Sequence, residues 1–122
     1  MPIYRDTPKL DADTLMSHMP ALPAWKLDDS KTSISRSFTA KNFVAAVAFF
    51  TAVKDVAEAE GHHPDLHLTD YREVKVEIST HAVRGLTIFD LILASKLDEV
   101  DVEYSPKWLR EREAAAQGSE TQ

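Results

Sequence analysis

A chain of 122 residues with no cysteine and a formal net charge of −6 excludes several classes of protein. Without a thiol it forms no disulfide, iron–sulfur cluster or thiolate active site, and this composition fits a reducing compartment. With 20 acidic residues against 14 basic ones, and no cluster of lysine and arginine, the chain is not expected to bind nucleic acid directly.

The composition favours one compact cytoplasmic domain. Domains most often hold about 100–150 residues, and 43 % apolar with 28 % charged residues is an ordinary globular balance. No stretch approaches the roughly 20 apolar residues of a membrane-spanning helix. Residues 1–10 contain no apolar signal core, and Asp6, Asp11 and Asp13 argue against a transit peptide, which is poor in acidic residues.

The first forty residues predict a short helix and two strands. Residues 11–18 predict a helix that opens at an Asp cap and ends before Pro20. Residues 25–27 predict a short strand, and the Asp-Asp-Ser run after them predicts a turn. Residues 32–38 alternate larger side chains with serine, which is the period-two pattern of a strand.

A helix of about five turns follows and is the clearest element of the sequence. Thr39 is expected to be its N-cap, and Gly61 is placed to end it. Apolar residues recur at three- and four-residue steps, as on one face of a helix. This expected face consists of Phe43, Ala46, Val47, Phe50, Val53 and Ala57.

The C-terminal half predicts further strands and helices. Residues 73–80 alternate apolar with polar side chains and predict a strand with one buried face, and residues 67–69 predict a short strand paired with it. After a break at Gly85, Thr87 caps the last core helix. Its expected core face consists of Ile88, Leu91, Ile92 and Ser95.

The last segment predicts a short helix that begins at Ser105-Pro106 and contains Trp108, and then a polar tail that frays from Gln117 onward. We therefore divide the chain into a domain over residues 1–103 and a C-terminal extension over residues 104–122.

These elements predict an α+β fold, in which about three helices cover one face of a four-stranded antiparallel sheet. Such a two-layer arrangement leaves the second face of the sheet open. We therefore expect a homo-oligomer, either a homodimer or a homotetramer.

Four of the five histidines lie close together in the sequence: His62, His63, His67 and His81. Imidazole titrates near neutral pH, with an unperturbed pKa of roughly 6.5, so such a cluster suits proton transfer or metal binding. A helix end precedes the first two, and a strand end precedes His81. Element ends are where rigid elements present side chains to a ligand.

A metal site is the less favoured use of these histidines. His63 and His67 have the i, i+4 spacing of a metal-binding pair on a helix, but Pro64 between them disfavours a continuous helix. Pro64 also favours an extended backbone at His63, which predicts that His62 and His63 project in different directions. No metal and no cofactor are expected, although a site built from the four histidines stays open as an alternative.

Two carboxylates have both a functional and a structural interpretation. Glu58 lies one helical turn before His62, where it would orient or charge a histidine or simply face solvent. Asp90 follows Thr87 by three residues, which is the spacing of a capping box, and the functional alternative is a hydrogen bond from His81.

Other side chains and motifs narrow the chemistry. Trp25 is more typical of a core or an interface than of a ligand platform. The sequence has no phosphate-binding loop, dinucleotide fingerprint or nucleophile elbow. Proton transfer is therefore the chemistry that the residues favour.

A specific set of residues recurs at fixed spacings along the chain: Glu58, His62, His63, Pro64, Tyr71, His81 and Asp90. The runs 85–87 and 93–95 surround this set, and aromatic residues precede it at Trp25, Phe38 and Phe43. Over residues 10–102 this pattern resembles the pterin-4a-carbinolamine dehydratases. The chain departs from many members at Leu66, where they carry an aromatic residue.

The resemblance implies a hydro-lyase that removes water from a 4a-hydroxytetrahydropterin to give a quinonoid dihydropterin, as in tetrahydrobiopterin recycling. His62 and His81 would assist the departure of hydroxide, and His63 would bind the pterin and handle its proton. Glu58 and Asp90 would orient these groups. The implied substrate contacts are Gly61, His62, His63, Ser79, Thr80, His81 and Ala82. The resemblance also implies an alternative role, as a dimerisation cofactor of a transcription factor.

Overall fold

The structure, a computed structural model, describes residues 8–120, with side chains described up to residue 115. The predictions for residues 1–7, which include Asp6, and for the last two residues of the tail lie outside this range. Within it the chain forms four α-helices and four strands: α1 (Ala12–His18), β1 (Lys26–Leu27), β2 (Ile34–Thr39), α2 (Phe43–Glu60), β3 (Asp65–Thr69), β4 (Glu73–Ile78), α3 (Ile88–Leu97) and α4 (Pro106–Glu120).

The four strands form one antiparallel sheet in the order β1-β2-β4-β3. Its inner face carries buried side chains from the two central strands, namely Ile34, Arg36, Phe38, Val74, Val76 and Ile78. The outer face carries the alternate residues, which are mostly serine, threonine and charged. The predicted α+β class and four-stranded antiparallel sheet are confirmed, and the described residues form four α-helices where about three were expected to cover the sheet.

The strand ends differ from the predicted ones by a few residues. β2 begins at Ile34 because Thr32 and Ser33 donate their backbone N–H groups to the carboxylate of Asp28, which holds them in a turn. β4 stops at Ile78, and Thr80 instead forms an isolated bridge with Gly85. β3 is longer than predicted and covers Asp65–Thr69.

The predicted N-cap of the long helix is wrong. Asn42 caps α2, and its side-chain oxygen accepts the backbone N–H of Ala45 at 2.8 Å. Thr39 is the last residue of β2, and its hydroxyl donates to Glu73 on β4. Thr39 is unavailable for the helix because its backbone still belongs to the sheet. Gly61 ends the helix as predicted, in a left-handed conformation with φ of 65°.

The predicted buried faces of α2 and α3 are partly wrong. In α2 the buried residues are Ala45, Ala46, Phe49, Val53 and Ala57. Phe43 and Val47, which were predicted to be buried, are exposed. The prediction failed because most of the first three turns of this helix are apolar, so that periodicity alone does not select a buried face. In α3 the buried residues are Asp90, Leu91, Leu93, Ala94 and Leu97, whereas the predicted Ile88, Ile92 and Ser95 are exposed.

The C-terminal segment packs against the sheet. Tyr104 bridges to Ala40, and its ring lies 5.2 Å from Phe38 and is stacked on Trp108. α4 then continues to Glu120, beyond the short helix predicted there. None of the helices described within residues 8–120 is both long enough and apolar enough to cross a membrane.

One charged side chain, Arg36, lies within the inner layer. Its guanidinium contacts Asp98 at 3.4 Å and donates to the hydroxyl of Tyr104 at 2.5 Å, and it also lies over the ring of Phe38. The indole N–H of Trp25 donates to the same carboxylate at 2.8 Å, so Trp25 is a core residue. Asp98 thus connects the two neighbouring strands of the sheet's first hairpin to the end of α3.

We expect Asp98→Ala to lower the free energy of unfolding by about 2 kcal/mol, because it leaves a buried guanidinium and an indole N–H without their acceptor. The loss is smaller than for a fully buried ion pair, since the side chain of Asp98 is 30 % exposed. Urea denaturation measures this change. Glu99→Ala, at an exposed neighbour, is the control and should cost less than about 0.5 kcal/mol. Equal effects of the two substitutions would contradict the role of Asp98.

Candidate active site

The end of α2 separates two adjacent histidines. Gly61 adopts the left-handed conformation that L-residues with a Cβ disfavour, and it turns the chain out of the helix. His62 then lies inside, 8 % exposed, while His63 stays on the surface. The two imidazoles therefore occupy different environments, as expected from Pro64.

The carboxylate of Asp90 is the most buried polar group near these histidines, with no exposed surface. One oxygen contacts Nε2 of His62 at 2.5 Å. The other accepts the backbone N–H of Thr87 at 2.8 Å and the hydroxyl of Thr80 at 2.7 Å. Asp90 therefore joins the start of α3, the end of β4 and the residue after α2 in one hydrogen-bonded group.

The prediction of a capping role for Asp90 agrees with this geometry, since its side chain accepts the backbone N–H of Thr87. The histidine that Asp90 contacts is His62, however, and not His81 as the sequence suggested. The reason is tertiary, because α3 packs against the end of α2 and brings His62 to the carboxylate. One side chain serves both the helix cap and the histidine.

The contact with Asp90 determines the proton arrangement of His62. A carboxylate only accepts hydrogen bonds, so Nε2 of His62 carries a proton and is the hydrogen-bond donor to Asp90. The second ring nitrogen, Nδ1, has no partner among the described residues and is not sealed from solvent. This nitrogen is therefore the one available to a bound molecule.

Glu58 contacts His63 and not His62, although His62 is one helical turn away. Its Oε2 lies against Nε2 of His63, and both side chains are exposed. Because water and salt screen exposed ion pairs, this contact orients the imidazole but adds little to the stability of the fold.

His81 is held by a short loop at the end of β4. Thr80 and Gly85 close this loop through hydrogen bonds between their backbones, and His81–Val83 forms one 3-10 turn inside it. His81 is exposed and has no side-chain hydrogen bond or ion pair with the described residues. Its ring is therefore free to contact a ligand.

These segments enclose an open cleft of about 290 Å³. It is lined by Gly61, His62, His63, Ser79, Thr80, His81 and Ala82. These seven residues are the ones that the sequence resemblance proposed as substrate contacts. The structure brings the three histidines together around one cavity, from the end of a helix and the end of a strand.

His67 lies outside this cleft. It belongs to β3, on the outer face of the sheet, and its Nε2 contacts Glu77 at 2.8 Å. Among the described residues no three metal-ligand side chains are arranged to hold an ion. The cluster of four histidines in the sequence is therefore a group of three in the structure.

A larger groove of about 510 Å³ is lined by residues of β1, β2 and α4 and shares no lining residue with the histidine cleft. Arg36, Tyr104 and Trp108 are among its lining residues, and it contains no histidine. Arg36 there is already paired with Asp98. The histidine cleft is therefore the better candidate for proton-transfer chemistry.

One part of the site was not assigned by sequence reasoning, namely the use of the Thr80 hydroxyl. It donates to Asp90 and lies 3.2 Å from the hydroxyl of Thr87. The sequence does indicate that this side chain is buried, because the period-two pattern of Val74, Val76 and Ile78 places Thr80 on the same buried face.

The sequence matches a family model described as pterin 4 alpha carbinolamine dehydratase over residues 8–100. A relative from Arabidopsis thaliana, pterin-4-alpha-carbinolamine dehydratase 2, mitochondrial, is 49 % identical over 81 residues, which are 65 % of this chain and 43 % of the relative. The chain thus spans less than half of the length of that relative.

Two solved structures share the fold. A transcriptional coactivator/pterin dehydratase from Brucella melitensis has a TM-score of 0.69 at 31 % identity, and the match covers 75 % of this chain and 96 % of that one. A pterin dehydratase-like protein, a RuBisCO assembly factor in the alpha-carboxysome, has a TM-score of 0.52 at 16 % identity, with 62 % of this chain and 86 % of that one covered. At that identity the second likeness shows the fold alone.

We expect Asp90→Ala to reduce the free energy of unfolding by about 3 kcal/mol, because it removes the cap of α3 and leaves buried donors of His62 and Thr80 without an acceptor. Asp90→Asn, the matched control, keeps one acceptor oxygen and the volume of the side chain, so it should cost less. Chemical denaturation of both variants measures the difference. If Asp90→Ala is as stable as the wild type, the joining role of this carboxylate is wrong.

Proposed function

Because this chain belongs to the pterin 4 alpha carbinolamine dehydratase family, we propose that it removes water from a 4a-hydroxytetrahydropterin and releases a quinonoid dihydropterin. The observation that carries the proposal is the meeting of His62, His63 and His81 around one open cleft. The proposed physiological role is tetrahydrobiopterin recycling in the cytoplasm, and the absence of cysteine fits that compartment.

The chemical difficulty of this reaction is the leaving group. Hydroxide departs slowly from C4a, and the reaction also requires loss of the proton on N5. A positioned general acid typically contributes 10²–10⁴-fold, or about 3–5 kcal/mol of barrier. The elimination needs neither oxidation nor a covalent intermediate, so proton transfer by imidazoles suffices and we propose no cofactor.

His62 is proposed as one of the two acids. Its Nε2 donates a hydrogen bond to the buried carboxylate of Asp90, which fixes the orientation of the ring. Nδ1 faces away from Asp90 and can deliver a proton to the leaving hydroxyl. Asp90 is therefore proposed as a positioning residue, because it acts through His62.

His81 is proposed as the second acid, and His63 as the group that binds the pterin and takes the proton of N5. Both rings lie at the exposed rim of the cleft, where protons exchange with water. Glu58 holds His63 in orientation. Gly61, Ser79, Thr80 and Ala82 complete the proposed substrate contacts, which surround a flat heterocycle with polar groups.

Replacement of the proposed acids tests the assignment. We expect His62→Ala and His81→Ala each to slow dehydration by about 10- to 1000-fold, because each removes a proton donor. Stopped-flow absorbance of 4a-hydroxytetrahydropterin decay, with and without protein, measures the rate. His67→Ala is the matched control, since it removes an imidazole outside the cleft, and it should keep the wild-type rate.

Two results would contradict the proposed dehydratase activity. One is decay of the carbinolamine at the uncatalysed rate in the presence of wild-type protein. The other is a wild-type rate in both His62→Ala and His81→Ala, with folding confirmed by circular dichroism.

We also propose that the protein is a homo-oligomer, but through a different surface from the one expected from the sequence. The outer face of the sheet is polar, whereas large apolar side chains are exposed on α2. Phe43, Val44 and Val47 are 54 %, 76 % and 43 % exposed, and together with Ala48 they line one apolar patch. A second copy of this patch would remove it from water.

The same patch favours a second candidate function, a protein-binding module. The Brucella melitensis neighbour is a transcriptional coactivator/pterin dehydratase. By this alternative the chain would serve as a dimerisation cofactor of a transcription factor, through the patch and not through the cleft. Co-purification of a partner at unit stoichiometry, lost on Val44→Glu, would support it.

We expect Val44→Glu to dissociate the proposed oligomer, because association would bury an unpaired carboxylate. Sedimentation velocity should show a dimer or tetramer for the wild type and a monomer for the variant. The control is Lys54→Glu, which also introduces a glutamate at an exposed position of α2 but outside the apolar patch. It should leave the assembly intact. A monomeric wild type, or an assembly that survives Val44→Glu, would contradict this proposal.

A further inference from the structure

We propose that the pocket beside the histidine cleft is a second subsite, in which Arg84 binds an anionic group on the side chain of the pterin. The inference rests on the proposed function, since it needs a pterin in the neighbouring cleft. It goes further because it names a substrate class, pterins whose side chain carries a phosphate or carboxylate.

The second pocket has a volume of about 350 Å³ and adjoins the histidine cleft. Its lining residues are Thr32, Ser33, Ser79, Thr80, His81, Arg84 and Gly85. Ser79, Thr80 and His81 line both cavities, so the two meet along the end of β4. We infer that a pterin whose ring system lies among the histidines reaches this second space with its side chain past His81, an exposed residue that borders both cavities.

Arg84 is the charged group of this pocket and has no counter-ion. It is exposed, and its guanidinium makes no hydrogen bond or ion pair with the described residues. Arg36, by contrast, is paired with Asp98. A planar guanidinium binds phosphate and carboxylate through two parallel hydrogen bonds, which makes Arg84 suited to an anionic group of the ligand.

The backbone at Arg84 is unusual for an arginine. Its φ of 53° and ψ of 47° place it in the left-handed region, where glycine or asparagine is normally found. The loop from Thr80 to Gly85 thus carries a conformational cost of order 1 kcal/mol with an arginine at this point. Such outliers cluster at ligand sites, and here the outlier presents the one guanidinium of the pocket.

A second cation lies at the same rim. The side chain of Lys9 crosses Gly85, and its Cε would be 2.6 Å from a Cβ at that position, so the absence of a side chain at Gly85 makes room for it. Lys9 likewise has no ion pair with the described residues. In a chain of net charge −6, one unpaired cation in the pocket and a second beside its Gly85 produce a local field that favours an anion.

Asp28, the first of two adjacent carboxylates in the turn before β2, is held by hydrogen bonds within that turn. Its oxygens accept hydrogen bonds from the hydroxyls of Ser30 and Thr32 and from the backbone N–H groups of Thr32 and Ser33. Burial opposes the ionisation of this carboxyl, but these hydrogen bonds outweigh it and lower its pKa to about 2. Asp28 therefore stabilises the turn and does not neutralise Arg84.

The test compares the affinities of pterins with different side chains. Isothermal titration calorimetry would measure binding of 7,8-dihydroneopterin, which is neutral, 7,8-dihydroneopterin monophosphate and 7,8-dihydrofolate, which carries carboxylates. We expect at least one anionic ligand to bind about 10-fold tighter than the neutral one, as for a partly exposed charge-assisted pair. The preferred ligand distinguishes phosphate from carboxylate, and added salt should reduce the preference.

Variants assign the preference to one side chain. In Arg84→Ala the ratio of the neutral to the anionic dissociation constant should fall to about one, and Arg84→Lys should restore part of it. Arg110→Ala, which removes an exposed arginine on α4, is the matched control and should keep the wild-type ratio.

The outcomes separate this inference from the proposed function. If the wild type binds all three pterins equally, or if the preference survives Arg84→Ala, the subsite is wrong while the histidine cleft stands. If the wild type binds none of the three pterins, the subsite is overturned, and the stopped-flow decay of 4a-hydroxytetrahydropterin then decides separately whether the proposed function stands.

Discussion

The buried carboxylate of Asp90 is the interaction on which the candidate site depends. It accepts hydrogen bonds from His62, Thr80 and Thr87, which come from three different elements. A fully buried carboxylate is stable only when its oxygens are occupied in this way, since an unpaired one is costly in a core. The same requirement that stabilises the fold therefore fixes the orientation of the innermost imidazole.

Around this fixed group the site is assembled from element ends. Gly61 turns the chain after α2 so that one histidine is buried and the next is exposed, and a loop closed between Thr80 and Gly85 presents the third. The buried imidazole is held by the core, while His63 and His81 lie at the exposed rim of the cleft. This graded exposure suits a proton-transfer reaction on a flat ligand that binds in an open cleft.

Sequence reasoning was most successful where local rules act. The α+β class, the end of α2 at Gly61 and the capping position of Asp90 follow from periodicity, backbone preference and spacing, which are local properties. It failed where contacts with other elements determine the outcome. The N-cap of α2 is Asn42 and not Thr39, because β2 continues through Thr39. The buried face of α2 was misassigned because the sequence of a mostly apolar helix does not define one inner face.

The sequence by itself determined the residue types of the site, the ends of elements at which they lie and the family pattern. Tertiary structure decided the pairing, namely that Asp90 contacts His62 and not His81, that Glu58 contacts His63, and that His67 lies outside the cleft. The reason is physical. Spacing along a chain fixes distances within one helix or strand, whereas the distance between elements depends on how α3 packs against the end of α2 and against the sheet.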